Sequence, residues 1–293
     1  MNGRSYVSGE RVEHANKRLG RVVAVACLLL AALTVAQAQG SVSAAYTGSR
    51  VQAPQTVAGL GFRSVELKNH GATKVTFDIY RLLPGTSLAD FSAASIALHE
   101  AIQGGAPTAP ALQRMAALAV PVGTSSVSPH QSAALFVDFA LGDYAVAATP
   151  AGDPGGASFA TFHATPGGES AGAPFPSHNL TVSDASVGSS TSVAAGKNLW
   201  AITNRGSRVH LVKLYRLLPN RTAAELQAYL DGSQPGLSKP YDKTSVAGPV
   251  APGSTIYVTL DLAAGKWVGR TVTDHQSASV RPAGGLTHLL RYG

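Results

Sequence analysis

Two stretches of this chain repeat one another in the same order. Residues 79–84 read Ile-Tyr-Arg-Leu-Leu-Pro and residues 214–219 read Leu-Tyr-Arg-Leu-Leu-Pro, an offset of 135. At that offset Asn69 and Gly71 match Asn204 and Gly206, and Leu67 matches Ile202. A second block, 129–144, aligns with 252–267 at an offset of 123. There Pro129/Pro252, Asp138/Asp261, Ala140/Ala263 and Gly142/Gly265 are identical, and Tyr144 stands opposite Trp267. Chance can produce one short match but not two blocks in one order, so the chain is expected to be one unit written twice. The offset falls by 12 between the blocks, so the first copy carries a longer middle insertion. A length of 293 residues holds two such domains, each with its own core. The expected copies span 39–165 and 178–293. The segment 166–177 between them, rich in Gly, Pro and Ser, reads as a semi-rigid linker.

Each copy reads as short strands with one helical insertion. Val65 and Leu67, then Val75, Phe77 and Ile79, alternate with polar residues, the period of a half-buried strand, with residues 69–72 as the turn. The second copy gives strands over 198–203 and 209–217 with the turn at 204–207. After Pro84 the text turns helical, at Ser87–Phe91 and Ala93–Ile102. After Pro219 a helix opens on Thr222 and Glu225, the spacing of a capping box. Strands then return at 133–139, 143–149 and 159–164, and at 255–262, 266–273 and 286–292. With 31 glycines and 17 prolines, such short strands and frequent turns point to an all-β sandwich.

The first 38 residues read as an export address. Arg4, Arg11, Lys17, Arg18 and Arg21 precede an apolar run from Val22 to Ala36, which ends in Ala36-Gln37-Ala38. These are the basic, apolar and small-residue parts of a signal peptide. The run is shorter than the roughly 20 residues a membrane span needs. The mature chain is therefore expected to be secreted or periplasmic, with no membrane span. Cys27, the one cysteine, falls within the signal, so disulfide scaffolds and cysteine-based metal sites are excluded from the mature chain.

Residues 39–165 carry net charge −1 and residues 175–293 carry +6, counting Lys, Arg, Asp and Glu. That mild excess suits an anionic polymer or surface. No Lys/Arg run is present, so nucleic acid is not the expected partner.

The spaced elements resemble the cupredoxin (plastocyanin-like) family. The second copy carries Asn204-Arg205-Gly206, His210, Pro252 to Thr255, Leu260-Asp261-Leu262, Gly265-Lys266-Trp267-Val268 and Gly285-Leu286. The first copy carries Asn69-His70-Gly71, Val137-Asp138-Phe139 and Gly142-Asp143-Tyr144-Ala145. The resemblance covers nearly all of 45–293 and is closest to secreted bacterial plastocyanin-like domains. It implies two tandem cupredoxin-like Greek-key β-sandwiches. Blue-copper members bind copper through two His, a Cys and a weak Met, and the thiolate gives the type 1 site its electronic character. By this likeness the first His position is His210 in the second copy and Val75 in the first. The Cys position is Thr271 and Ala148, and the Met position is Leu286 and a residue near Ala157. The second His has no matching spacing. The resemblance thus implies a fold whose copper ligands are largely lost.

What remains is a small set of candidates. His210 and His275, with Asp274 or His288, form the one candidate metal site, for Cu(II) or Zn(II). His70, His130, His163 and His178 read as loop, edge or linker histidines. Asp138 and Asp261 read as sheet-edge carboxylates, and the repeated Tyr80-Arg81 and Tyr215-Arg216 as packing pairs. Asn179 and Asn220 head glycosylation sequons, unused in a chain of bacterial-looking composition. No His-Glu-x-x-His occurs, and the sequence singles out no catalytic triad. The expectation is an exported, non-enzymatic binding or structural protein with no cofactor, whose partner is a protein, an envelope polymer or a small ligand. The alternative is a metal-handling or redox accessory protein with a His-only site in the second copy.

Overall fold

A computed structural model of the chain describes residues 42–104, 108–168, 170, 172–184, 187–189, 195–273 and 289–290. The alternation of β4 (Gly61–Asn69) sets Val65 and Leu67 inward, and β5 (Val75–Leu82) sets Val75, Phe77 and Ile79 inward. With β1 (Val42–Tyr46), β2 (Val51–Gln52), β3 (Thr56–Ala58), β6 (Ala119–Val127), β7 (Ser132–Phe139), β8 (Gly142–Pro150) and β9 (Ser158–Thr165) they build two sheets. The orders are β2-β1-β4-β7 and β3-β9-β8-β5-β6. The inner faces share one apolar core, with Phe77, Phe139, Tyr144 and Phe162 at its centre.

The second half builds two more sheets. Their strands are β10 (His178–Val182), β11 (Val187–Ser189), β12 (Gly196–Asn204), β13 (His210–Leu217), β14 (Tyr241–Val250), β15 (Thr255–Leu262), β16 (Trp267–Thr273) and β17 (Leu289–Leu290). The orders β11-β10-β12-β15 and β14-β13-β16-β17 repeat the arrangement of the first half. In both halves the opening strand runs parallel to its neighbour, β1 along β4 and β10 along β12. Trp200, Ile202, Leu214 and Trp267 fill the second core. Burying each such side chain stabilises by about 1.5–3 kcal/mol. The fold is all-β, with helices as insertions.

Residues matched at the two offsets occupy matching places in the strand pairing. Val75 pairs with Pro150 and Phe77 with Ala148. His210 pairs with Thr273 and Val212 with Thr271.

Two polar devices recur with the motifs. Asn69, buried at the end of β4, donates from Nδ2 to the carbonyls of Thr73 (2.8 Å) and Val127 (3.0 Å) and accepts from the Gly71 N–H at 2.9 Å. Asn204 does the same with Arg208 (2.7 Å), Val250 (2.9 Å) and Gly206 (2.8 Å). Each Asn closes its own turn and ties it to the edge strand of the opposite sheet. The second device is an aromatic latch. The Tyr144 hydroxyl donates to the Ala140 carbonyl at 2.9 Å and accepts the Ala140 N–H at 2.8 Å. The Trp267 indole N–H donates to the matching Ala263 carbonyl at 2.9 Å. Either ring reaches back four residues with a polar atom at its far end, so the exchange of Tyr for Trp conserves the latch.

The helical insertions correct one expectation. The first half holds two helices: α1 (Leu88–Gln103), capped by Ser87, and α2 (Thr108–Ala116). The second holds α3 (Ala223–Asp231) with the expected capping box: Thr222 Oγ1 accepts from Glu225 N at 3.1 Å, and Glu225 Oε2 accepts from Thr222 N at 2.7 Å. The extra residues of the first insertion become α2. Its Leu112 and Met115 join Phe91 and Leu98 of α1 in a cluster with Val209, Leu211 and Val272 of the second half. The insertion is therefore an apolar dock between the sandwiches. It also buries the outer face of β13, whose inner face already lies in the second core.

Strands β6 and β14 stand where no strand was expected. Their Pro, Gly, Ser and Thr content hides the apolar period. Both are edge strands with bulged registers, at Ile79/Tyr80 opposite β6 and at His210/Val212 opposite β14. Pro121 and the cis Gly248–Pro249 bond sit at those irregularities, where a missing N–H is tolerated.

Candidate functional site

The Asn204 turn delivers His210 to the first position of β13, against the loop that follows β10. His210 is fully buried. Its Nε2 lies 3.0 Å from Asp184 Oδ1. Asp184 also accepts from Ser207, at 2.9 Å from the backbone N–H and 2.7 Å from the hydroxyl. These bonds, the Ser207 N–H first, hold the Asp184 carboxyl well below the usual carboxylate range. Gly206 makes the approach possible: a Cβ there would lie 2.4 Å from Asp184 Oδ1 and 2.9 Å from His210 Nε2.

An ionised carboxylate on Nε2 assigns the proton to that nitrogen and leaves Nδ1 with its lone pair. His210 Nδ1 is buried and has no hydrogen-bond partner among the described residues. This is the orientation of a metal-ligating imidazole with a supporting carboxylate. His275, Asp274 and His288 lie outside the described residues, as does Leu286. Among the described residues no group of three or more His, Cys, Asp or Glu side chains is placed to hold a metal.

The remaining ligand positions do not fit a type 1 copper centre. Thr271, at the Cys position, has a hydroxyl in place of a thiolate and pairs across the sheet with Val212. In the first half Val75 and Ala148 are fully buried in the core. Two apolar side chains there fill the volume that ligands would need and offer no donor atom.

The other sequence candidates have structural surroundings. Asp138 and Asp261 are exposed on the edge strands β7 and β15, as sheet-edge carboxylates. Tyr80 packs edge-on against Phe91 with ring centroids 5.3 Å apart, and Tyr215 against Tyr241 at 4.9 Å. Burial, and then the Asp78 charge, push the Tyr80 hydroxyl well above its ordinary pKa. Arg216 forks onto Asp242, with Nε donating to Oδ1 at 2.8 Å and Nη2 to Oδ2. His163 pairs with Asp143 at 2.7 Å, and His178, far from being a linker residue, opens β10 and packs on Trp200 at 4.8 Å.

The sequence analysis missed one polar pair. Asp78 sits mid-strand in β5 beneath α1, and its Oδ2 lies 2.9 Å from His99 Nε2. Their side chains are 5% and 13% exposed. A carboxylate among Val75, Phe77, Ile79 and Tyr80 was the available signal, because such a residue under a helix needs a partner.

No protein-family model matches the chain, and no curated protein matches it in sequence. Solved structures similar to it include the dithionite-reduced auracyanin of Roseiflexus castenholzii, 18% identical over 44% of this chain and 99% of its own, with a TM-score of 0.31. A blue copper oxidase from Nitrosomonas europaea is 12% identical over 85% of each chain, with a TM-score of 0.22. A copper-containing nitrite reductase from Thermus scotoductus SA-01 is 12% identical over 86% of this chain and 61% of its own, with a TM-score of 0.21.

Proposed function

We propose that this chain is an exported, non-enzymatic binding or structural protein, built from a duplicated cupredoxin-like sandwich that has given up its redox metal. The observation carrying this reading is the filling of the ligand positions: buried Val75 and Ala148 in the first half, and Thr271 for the thiolate in the second. Apolar or hydroxyl side chains at these positions, on a frame whose turns and latches are intact, support a role in shape and surface. Export rests on the N-terminal basic, apolar and small-residue pattern. No helix among the described residues is long and apolar enough to cross a membrane.

A second reading is favoured by one observation, the unpartnered Nδ1 of the buried His210. In it the second half holds Cu(II) or Zn(II) through His210 and His275. His210 would then supply a neutral imidazole steadied by Asp184, and the metal a Lewis-acidic or redox-active centre.

The test is metal content after incubation with Cu(II) or Zn(II) and desalting, with His210→Ala alongside. Retention well below one equivalent, unchanged in the variant, supports the binding-protein reading. One equivalent held by the native chain and lost from the variant overturns it in favour of the second.

A further inference from the structure

Each of the four sheets turns one edge strand toward the other half: β6 and β7 from the first sandwich, β14 and β15 from the second. Where these edges diverge they leave a cleft. One lobe has a volume of about 440 Å³ and a neighbouring lobe about 340 Å³. The lobes share Lys74, Thr124, Ser126, Thr244, Ser245 and Val246 in their linings, so they adjoin. Sites of ~300–1,000 Å³ at domain interfaces are where small ligands usually bind.

The outer lobe is basic. Lys74 reaches it from the first half, and Lys197 and Lys243 from the second. The acid beside them, Asp261, is the cross-strand partner of Lys197, which leaves an excess of two positive charges. Between the ammonium groups the wall offers hydroxyls, among them Thr124, Ser126, Thr244 and Ser245, beside apolar Val246 and Leu260.

The inner lobe ends on the Asp78–His99 pair. His99 Nε2 and Asp78 Oδ2 share a hydrogen bond of 2.9 Å, and His99 Nδ1 makes no hydrogen bond with any described residue. In the neutral ring Nδ1 accepts a hydrogen bond, and in the charged ring it donates one. The pair is a fixed polar anchor held between a strand and a helix. The dyad, the hydroxyl walls and the lysines have no part in the fold's own turns or latches.

We propose that this cleft binds an acidic sugar, a polyhydroxylated ring bearing a carboxylate, either free or as a unit of an envelope polymer. The ammonium groups hold the carboxylate as point charges. The Ser and Thr hydroxyls and His99 Nδ1 take the ring hydroxyls. The proposal rests on the binding-protein reading and names the ligand class that reading leaves open.

The test is calorimetric titration of the intact protein at low ionic strength, where exposed lysines are least screened. The probes are glucuronate, galacturonate and their short oligomers, with glucose, galactose and inorganic phosphate as controls. A uronate is expected to bind at one site at least tenfold more tightly than its neutral parent sugar and than phosphate. A Lys197→Gln/Lys243→Gln double variant, altered only at exposed positions, should weaken it at least tenfold at unchanged melting temperature. His99→Gln should weaken the neutral sugar and the uronate alike. Equal affinity for monomer and oligomer points to a free acid, and a tenfold gain for the oligomer points to a polymer.

Several results overturn the proposal: no uronate binding up to about 10 mM, equal binding of the neutral sugar or of phosphate, or full affinity in the lysine variant. None of these touches the metal assay at His210. Metal retention there would in turn overturn the functional reading without altering the titration of the cleft, so the two failures are distinguishable.

Discussion

Replacing Asn204 with Ala removes three hydrogen bonds at one stroke. The carbonyls of Arg208 and Val250 lose their donor, and the Gly206 N–H loses its acceptor. Asn204 is fully buried, so water is poorly placed to take over these roles. At ~0.5–1.5 kcal/mol for each hydrogen bond, with an added penalty where a buried group is left unpaired, the loss is about 2–4 kcal/mol. For a cooperative unit of this size that is a fall in melting temperature of about 4–16 °C. Both tryptophans of the chain, Trp200 and Trp267, lie in the second core, so their fluorescence during urea unfolding reports the half that carries the change. Asn204→Asp sharpens the test. It keeps an acceptor for Gly206 but turns a carboxylate toward two carbonyl oxygens. Burial and those oxygens raise the pKa of the new acid in the folded state above its unfolded value of ~3.9. The variant is then least impaired below that pH and loses stability as pH rises through the folded pKa. Either a loss below about 0.5 kcal/mol for Asn204→Ala or wild-type stability of Asn204→Asp at neutral pH would refute the reasoning, since both discard the hydrogen bonds as its source.

Further expectations follow from the same geometry. Tyr144→Phe deletes the hydroxyl that both donates to and accepts from Ala140 and should cost about 1–2 kcal/mol by urea unfolding. Arg63 is buried, and its Nε and Nη2 have no partner among the described residues, so Arg63→Met should leave the melting temperature unchanged or raise it; a marked fall would mean the guanidinium is compensated after all. The depressed pKa of Asp184 means that its stabilisation is present above the unfolded value of ~3.9 and is lost as pH falls through the folded one. The melting-temperature gap between wild type and Asp184→Asn should therefore be widest near neutrality and close progressively in acid. A gap that is constant with pH would remove the ionised carboxylate from the account. Lys197→Gln alone should leave stability untouched, because Lys197 is an exposed residue at the start of β12, and a clear loss in a thermal melt would reassign it to the fold.

Much of the fold was legible because its determinants are local. An inward side chain at every second position specifies a strand, and β4, β7 and β15 follow that period with little interruption. The capping box of α3 is visible in Thr222 and Glu225 because both partners lie within one turn. The edge strands β6 and β14 escaped notice for the opposite reason. Their place depends on pairing with β5 and β13 many residues away, and their proline and glycine are tolerable only at an edge or a bulge.

The candidate site divides along the same line. That positions 271 and 75 hold Thr and Val is a matter of residue identity. That His210 is sealed against Asp184 with Nδ1 unpartnered is not, because nothing near His210 in sequence names a carboxylate 26 residues away. The Asp78–His99 pair likewise joins a strand to a helix.

By itself, the sequence determined the strand period, the doubled motif, the helix cap and the absence of any cysteine after Cys27, because each is written in neighbouring residues or in residue identity. Only the tertiary structure decided that α2 docks one sandwich on the other, that four sheet edges meet around a basic, hydroxyl-lined cleft, and which histidines find carboxylates. Those facts depend on contacts between residues far apart in the chain, and such contacts exist only once the apolar faces have chosen what to bury against.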